Sequence, residues 1–140
     1  MVAYSFKLRF IPNIRAGLGM KVEGLVRPKL QTIRAERRRH ANPGEEVQLY
    51  YAQRTSQCQL IGKPTCASVV PIEITFRRFS EMVDIGDIGT LSRAPHLDRF
   101  AQLDGFFDWE DMRQFWMEEH QAVMGTPFTG KLIRWNPVAG

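Results

Sequence analysis

The sequence predicts an α+β fold, a small mixed β-barrel with two short helices in its C-terminal half. Before residue 90, apolar side chains recur mostly at every second position, as in half-buried strands. After residue 92 they recur at helical spacing, in "APHLDRFAQLDGF" and "WEDMRQFWMEEHQ". A chain of 140 residues can bury one ordinary core, so we expect a single domain over 1–140.

The first strand is "YSFKLRF" (4–10), whose apolar residues share one face. Pro12 then begins a short helical turn that ends at Gly17. Three glycines and a closing proline predict a loop excursion over 16–28. Further strands are predicted at "LQTIRAER", "EEVQLYYAQR", "PIEITF", "MVDIGDI" and "FTGKLIRW".

The segment "CQLIGKPTCASVV" (58–70) has two interpretations, one long kinked strand or a tight hairpin at Gly62–Pro64. In a continuous strand Cys58 and Cys66 would lie about 26 Å apart, too far for a disulfide, whereas a hairpin would bring them close. We expect the long strand and two free thiols, as is usual in the cytoplasm.

The helical half contains its own boundary signals. Gly105 is placed to end the first helix, and Asp108 is placed as the N-cap of the second, with Asp111 three residues later. Trp109, Met112 and the pair Phe115–Trp116 form an apolar stripe. We interpret that stripe as helix packing against a sheet.

Charge is distributed unevenly along the chain. Residues 1–65 hold twelve Lys/Arg against four Asp/Glu, and the remainder holds seven against eleven. A basic first half favours ligands that carry phosphate, so RNA or a nucleoside or nucleotide is the expected partner. No apolar run is long enough for a membrane span, no secretion signal is expected, and the predicted location is the cytoplasm. The two cysteines and three histidines have no metal-type spacing, so neither a metal site nor a cofactor is expected.

Lys29 and Thr32 are the candidates for catalysis. Their side chains meet only if the chain turns between them, and Pro28 makes a loop-to-strand junction there plausible. Repulsion from Arg27 and Arg34, with partial burial, would lower the pKa of Lys29 toward that of a base, which could activate the threonine hydroxyl. Arg34 is the candidate anchor for an oxyanion or phosphate. The alternative is a solvated basic strand, which the residue types alone favour.

A run of basic residues follows this segment. It is interpreted as the rim of a pocket that contacts phosphate or as a plain solvated face, and comprises Arg37, Arg38, Arg39 and His40.

Tyr50 and Tyr51, near Arg54, could stack on a base, although one of the two tyrosines must lie mostly in the core. Tyr51 and Arg54 are therefore candidate ligand-binding residues.

The stretch "KLQTIRAERRRHANPGEEVQLYYAQRTSQCQLIGKPTC" resembles the ASCH family, whose members carry a lysine, Thr-Ile-Arg three residues later, a turn and a strand. The later "DGFFDWEDMRQFWMEEH" and "FTGKLIRW" resemble the tails of bacterial and phage-encoded members. The resemblance implies a PUA-like β-barrel that binds RNA or modified nucleosides. Some small members hydrolyse the acetyl amide of acetylcytidine with a lysine, a threonine and a glutamate.

By this resemblance the lysine is Lys29, the threonine is Thr32 and the carboxylate is Asp104, an aspartate where those hydrolases have glutamate. The excursion 16–28 is longer than in relatives and makes Lys21 a rival for Lys29, although only Lys29 keeps the spacing to Thr32. The leading expectation is binding of RNA or a nucleotide. The alternatives are a hydrolase of a modified pyrimidine nucleoside that needs no metal, a ribonuclease, and a phage-derived interaction protein with a vestigial pocket.

Overall fold

The computed structural model describes residues 2–77, 80–120 and 125–136. The described part contains eight strands, three α-helices and a 3-10 helix at Leu8–Phe10. The strands are β1 Val2–Phe6, β2 Gln31–Ala35, β3 Val47–Tyr51, β4 Gln59–Gly62, β5 Thr65–Thr75, β6 Met82–Ile85, β7 Gly89–Leu91 and β8 Phe128–Asn136. The helices are α1 Ile11–Gly17, α2 Ala94–Leu103 and α3 Trp109–Glu119.

The strands form two sheets, so the predicted α+β class is confirmed. One sheet has the order β1-β3-β4, with β1 and β3 parallel. The other has the order β2-β8-β5-β6-β7 and is antiparallel throughout. The two are joined by a bridge between Glu46 and Thr65. Closure of these sheets into one barrel stays a prediction.

Both interpretations of residues 58–70 were wrong. The segment contains two strands, but β4 pairs with β3 in the small sheet while β5 pairs with β8 and β6 in the large one. The turn at Lys63–Pro64 therefore passes the chain from one sheet to the other. Cys58 is exposed, Cys66 is buried and both are free thiols, as expected, although not for the expected reason.

The predicted separate strand at 71–76 is instead the second half of β5, which runs through Pro71. The carbonyl of Pro71 accepts a hydrogen bond from the N–H of Gly86 at 2.9 Å, so its backbone polar atoms face the β6 side. Since β6 ends at Ile85, the missing N–H of Pro71 falls at the end of the ladder. Proline is tolerated where no ladder hydrogen bond is lost.

The helical half follows its boundary signals. Asp108 caps α3, because its carboxylate accepts a hydrogen bond from the N–H of Asp111 at 2.9 Å. Gly105 follows α2 with a φ of +92°, a conformation that glycine adopts without penalty. The turn predicted after Pro12 is the two-turn helix α1, and Gly17 is its last residue. No helix in the described ranges is long and apolar enough to cross a membrane.

Gly17 allows the chain to cross α1 closely. A Cβ at this position would overlap the carbonyl oxygen of Lys29, a backbone atom that cannot rotate away. The crossing is held by a 2.8 Å hydrogen bond from the N–H of Lys29 to the carbonyl of Asn13. The excursion 16–28, which has no regular structure after α1, therefore returns to a fixed point on that helix.

Gly17→Ala should destabilise the protein by about 2 kcal/mol, because the added methyl group overpacks against backbone. Helix propensity alone predicts the opposite sign, a gain of up to about 1 kcal/mol. Urea unfolding at pH 7 measures the difference. Gly24→Ala is the control, since nothing lies within 4 Å of its Cβ position and only its φ of +77° opposes the change. A more stable Gly17→Ala variant would contradict the close crossing.

Candidate functional site

A cavity of about 870 Å³ opens between β1, β2 and β3 on one side and α3 and the start of β8 on the other. Its walls are largely aromatic and include Phe6, Phe10, Tyr51, Phe76, Phe106, Phe115, Trp116 and Phe128. Its polar lining includes Lys29, Thr32, Arg34 and Asp104. The three residues predicted as catalytic are thus brought together in one cavity, with Arg34 and Tyr51.

Lys29 and Asp104 form a buried ion pair. Lys29 is 2% exposed and Asp104 is 4% exposed. The Lys29 Nζ lies 3.2 Å from Oδ2 of Asp104 and donates a 2.6 Å hydrogen bond to the backbone carbonyl of the same residue. Gln31 donates a longer 3.4 Å bond to Oδ1. Both carboxylate oxygens are therefore occupied by protein donors.

Asp104 reaches Lys29 although its side chain is one methylene shorter than glutamate. The reason is the backbone, since the N–H of Leu30 donates a 2.9 Å hydrogen bond to the carbonyl of Leu103, the last residue of α2. On the other side of the lysine, Gly105 would carry a Cβ only 3.2 Å from the Cβ of Lys29. A helix end with glycine after it thus holds the carboxylate against the lysine.

Of the two candidate lysines, Lys21 and Lys29, the structure places Lys29 at the cavity. Lys21 is exposed in the excursion, whereas Lys29 lines the cavity. The expected junction is present, because Lys29 precedes β2 while Thr32 lies within it. The two side chains consequently line the same cavity despite their opposite parity along the chain.

Burial controls the protonation of the pair. It lowers the pKa of Lys29, an effect that the nearby Asp104 carboxylate opposes and the Arg34 and Arg9 charges reinforce. Burial likewise raises the pKa of Asp104, and Lys29 opposes that shift. Arg34 contributes to the lysine's shift as the sequence predicted, but Arg9 takes the place of the predicted Arg27. A lowered lysine pKa favours the neutral amine that general-base chemistry requires.

Arg34 is the second cation of the cavity lining and is half-buried. Its Nε donates to the Thr32 hydroxyl oxygen at 3.1 Å, and its Nη2 donates to the carbonyl of Ser5 at 2.7 Å. Burial lowers its pKa to about 10, with Asp104 opposing. Its guanidinium carbon lies 4.8 Å from the centroid of the Phe6 ring. Arg34 and Thr32 share a face of β2, as the alternation predicted, and act as one hydrogen-bonded unit.

The predicted rim lies outside the cavity lining. Arg37 packs 4.4 Å over the Tyr4 ring, Arg39 pairs with Glu45 at 2.8 Å, and Arg38 is exposed. Arg37 and the cavity residue Arg34 lie over the same Tyr4 ring, Arg34 at 5.4 Å from its centroid. The basic surface thus begins one side chain away from the cavity.

Arg54 also lies outside the cavity lining. It is exposed in the turn after β3 with a φ of +69°. It is not brought together with Tyr51, which lines the cavity, and neither tyrosine of the pair is fully buried.

His40 does not act with the arginines that precede it. Its Nε2 lies 3.0 Å from the carbonyl of Ala35, so it must donate there, and its Nδ1 accepts from the Tyr4 hydroxyl at 2.9 Å. Burial lowers its pKa, which favours this neutral form. His40 therefore has a structural part, holding the segment after β2 against Tyr4.

His120 and the aromatic walls were missed from the sequence. His120 lines the cavity at the end of α3, with its ring centroid 4.9 Å from that of Trp116. Burial and the Arg34 charge lower its pKa. Its spacing four residues after Trp116 was the available signal, because it places both on one helix face. That stripe was assigned to packing alone, yet Phe115 and Trp116 pack and line the cavity at once.

Comparison with known proteins gives no relative: no family model, curated protein or solved structure matches the chain. The resemblance to the ASCH family stays a prediction. Within the described ranges, no group of three or more His, Cys, Asp and Glu side chains is arranged to hold a metal ion.

The buried pair should show strong thermodynamic coupling. Lys29→Met and Asp104→Asn should each cost about 3 kcal/mol of unfolding free energy, because each strands one buried partner. The double variant should cost at least about 1 kcal/mol less than the sum. Urea unfolding at pH 7 of the wild type, the two single variants and the double variant gives the four free energies of this double-mutant cycle.

The exposed pair Lys131–Glu36, at 3.3 Å, is the matched control. Its coupling should stay below about 1 kcal/mol, since surface pairs are screened by water. Additive costs for Lys29 and Asp104 would mean that the two groups do not interact in solution.

Proposed function

We propose that this chain is a PUA-like barrel protein that binds a nucleobase of RNA or of a free nucleotide in the aromatic cavity. The single observation that carries the proposal is that one 870 Å³ cavity combines aromatic walls with a group of polar side chains. This polar group, called the floor below, comprises Lys29, Thr32, Arg34 and Asp104. Small-molecule sites span roughly 300 to 1,000 Å³ and combine apolar walls with a few placed polar groups. A nucleobase has the matching surfaces, two flat apolar faces and a polar edge.

Stacking would supply most of the affinity. Phe115, Trp116 and Phe128 all line the cavity, and the last two are in edge-to-face contact at 4.8 Å between centroids. Stacking of a base on an aromatic side chain contributes about 1 to 3 kcal/mol. Thr32 and Arg34 on the floor would then read the polar edge of the ligand.

The basic surface outside the cavity would extend the site from one nucleotide to a strand. Arg38 is exposed, and Arg37 and Arg39 keep solvent-exposed guanidinium groups beside their protein contacts. A chain that places one base in the cavity could run its phosphates over these residues. This supports RNA rather than a free nucleotide as the larger ligand.

Binding should be visible in the fluorescence of Trp116, the one tryptophan among the described lining residues. Titration with nucleosides, mononucleotides and short RNA oligomers should quench it, because a stacked base contacts the indole. Trp116→Phe should remove the signal, while calorimetry still detects binding. Failure of every nucleoside, nucleotide and oligomer to bind would end the proposal and favour an interaction protein with a vestigial pocket.

The oligomer arm tests the basic surface separately. Replacing Arg37, Arg38 and Arg39 together with glutamine should flatten the salt dependence of oligomer affinity, because fewer counterions are released. The same variant should leave mononucleotide affinity within about twofold. If the slope of log affinity against log salt concentration for the oligomer is unchanged in this variant, the binding site is limited to the cavity.

A second candidate, a hydrolase of an acylated base, is favoured by the position of Lys29, Thr32 and Asp104 in one cavity. A neutral Lys29 would accept a proton from the Thr32 hydroxyl as its oxygen attacks the acyl carbon, or from a water that Thr32 orients for the same attack. In the first case the acyl group is transferred to Thr32 as an ester, which water then hydrolyses to the carboxylate and the free hydroxyl. Asp104 would pass the proton taken up by Lys29 to the departing amine, and Arg34 would stabilise the oxyanion. One water is consumed, and a carboxylate and a free amine are produced.

Thr32→Val should reduce acetate release from acetylcytidine at least about 100-fold, because it removes the hydroxyl that attacks the acyl carbon or orients the attacking water, while keeping the side-chain volume. The measurement is acetate and cytidine production by chromatography, with RNA oligomers assayed in parallel for cleavage products. Chelator should leave the rate unchanged. Equal background rates for wild type, Thr32→Val and Asp104→Asn would exclude this chemistry and leave the binding proposal intact.

A further inference from the structure

The floor of the cavity has hydrogen-bond donors to spare. Nη1 of Arg34 makes no hydrogen bond within the described ranges, whereas its Nε and Nη2 are both used. The Thr32 oxygen accepts from Arg34, so its own hydroxyl proton is left for another partner. Lys29 directs its two polar contacts to Asp104, and when protonated it carries a third N–H. These three donors belong to side chains that line the same cavity.

Acceptors on the floor are already occupied. Oδ2 of Asp104 is paired with Nζ of Lys29, and Oδ1 accepts a hydrogen bond from the side chain of Gln31. The backbone carbonyl of Asp104 accepts a hydrogen bond from Nζ of Lys29. The carbonyl of Ser5, another lining residue, receives Nη2 of Arg34. These acceptors are already engaged by protein donors, whereas the donors named above have no partner within the described ranges, so the floor favours a ligand group that presents acceptors.

The charged side chains that line the cavity also favour an anionic ligand, because positive charges outnumber negative ones on its floor. Asp104 is the one carboxylate among the described lining residues, and its charge acts on two cations, the buried Lys29 and the half-buried Arg34. Arg9, which lies behind the pair, is neutralised by Asp111 at 2.9 Å. Lys7 at the mouth pairs with Glu119 at 3.3 Å. With Lys29 protonated, the floor carries one uncompensated positive charge in a largely apolar surround, where an unpaired charge is costly.

We propose that the floor is an oxyanion subsite that takes a phosphate monoester or a carboxylate of the ligand between Arg34, Thr32 and Lys29, beneath a ring stacked on the aromatic walls. This deepens the proposed function and rests on the same cavity. The anion would fill the free Nη1 and hydroxyl donors and cancel the excess charge. Nucleotides with a terminal phosphate, or planar bases with a ring carboxylate, are then preferred over neutral nucleosides.

Calorimetry with a matched ligand set tests the subsite. The probes are uridine, its 5′-monophosphate, its 3′-monophosphate, a uracil carboxylate and inorganic phosphate. At least one anionic probe with a ring should bind wild type tenfold or more tighter than uridine, and inorganic phosphate should compete with it. The monophosphate and carboxylate arms distinguish the two sources of the anion.

Variants locate the effect. Arg34→Gln should bring the affinity for the anionic probes down to that for uridine measured with the same variant, while Arg34→Lys should retain part of the anion's advantage. Thr32→Val should reduce it severalfold. Arg99→Gln, an exposed arginine on α2 outside the cavity, is the matched control and should change nothing. Circular dichroism identifies any variant that does not fold, and the wild-type ligand series then still decides.

The inference and the proposed function fail in different ways. Equal affinity for uridine and all its anionic analogues would overturn the oxyanion subsite and leave a base-binding cavity. Binding of the uracil carboxylate, with no nucleoside or nucleotide bound, would support the subsite and overturn the nucleic-acid function. An anion advantage that persists in Arg34→Gln would place the anion elsewhere and reject the subsite.

Discussion

The close packing of Lys29 against two helices is the constraint on which the rest of the structure depends. Its backbone crosses α1 at Gly17, and its side chain meets Asp104 at the end of α2. These contacts bring residues 75 positions apart into hydrogen-bond distance. Removing a lysine and an aspartate from water is expensive, so the pair must be well bonded to persist. That requirement positions β2, and with it Thr32 and Arg34, against the cavity.

The aromatic residues serve both the core and the cavity. Phe10 and Phe106 meet edge to face at 5.3 Å, and Phe115 contacts both. Phe10 also lies 4.8 Å from Nζ of Lys29, where a ring face favours a cation. The walls are consequently rigid, because every phenylalanine and tryptophan ring among the described lining residues is packed against another ring. A rigid wall loses little entropy when a planar ligand stacks on it.

Much of the fold could be predicted from periodicity and boundary signals, which are local. The N-cap at Asp108, the stop at Gly105 and the final strand all follow from neighbouring residues. The error at residues 58–70 was not local. Whether β4 and β5 pair with each other depends on partners elsewhere in the chain, and here β4 pairs with β3 while β5 pairs with β8 and β6. The same limit hid His120, because only the fold shows that the α3 stripe faces a cavity.

The site tolerates a long excursion because its lysine is held at a fixed point. The chain returns to α1 through two hydrogen bonds on either side of Pro28, from the Asn13 side chain to the Arg27 carbonyl at 2.9 Å and from the N–H of Lys29 to the Asn13 carbonyl at 2.8 Å. The entropy of closing a loop grows only with the logarithm of its length, by about 0.6 kcal/mol for each doubling. Extra residues between α1 and β2 therefore cost little stability. Such residues do not move Lys29, since its backbone is held by its contacts with Gly17 and Asn13 on α1. The buried Lys29–Asp104 pair can therefore be kept while the surface loop between α1 and β2 changes.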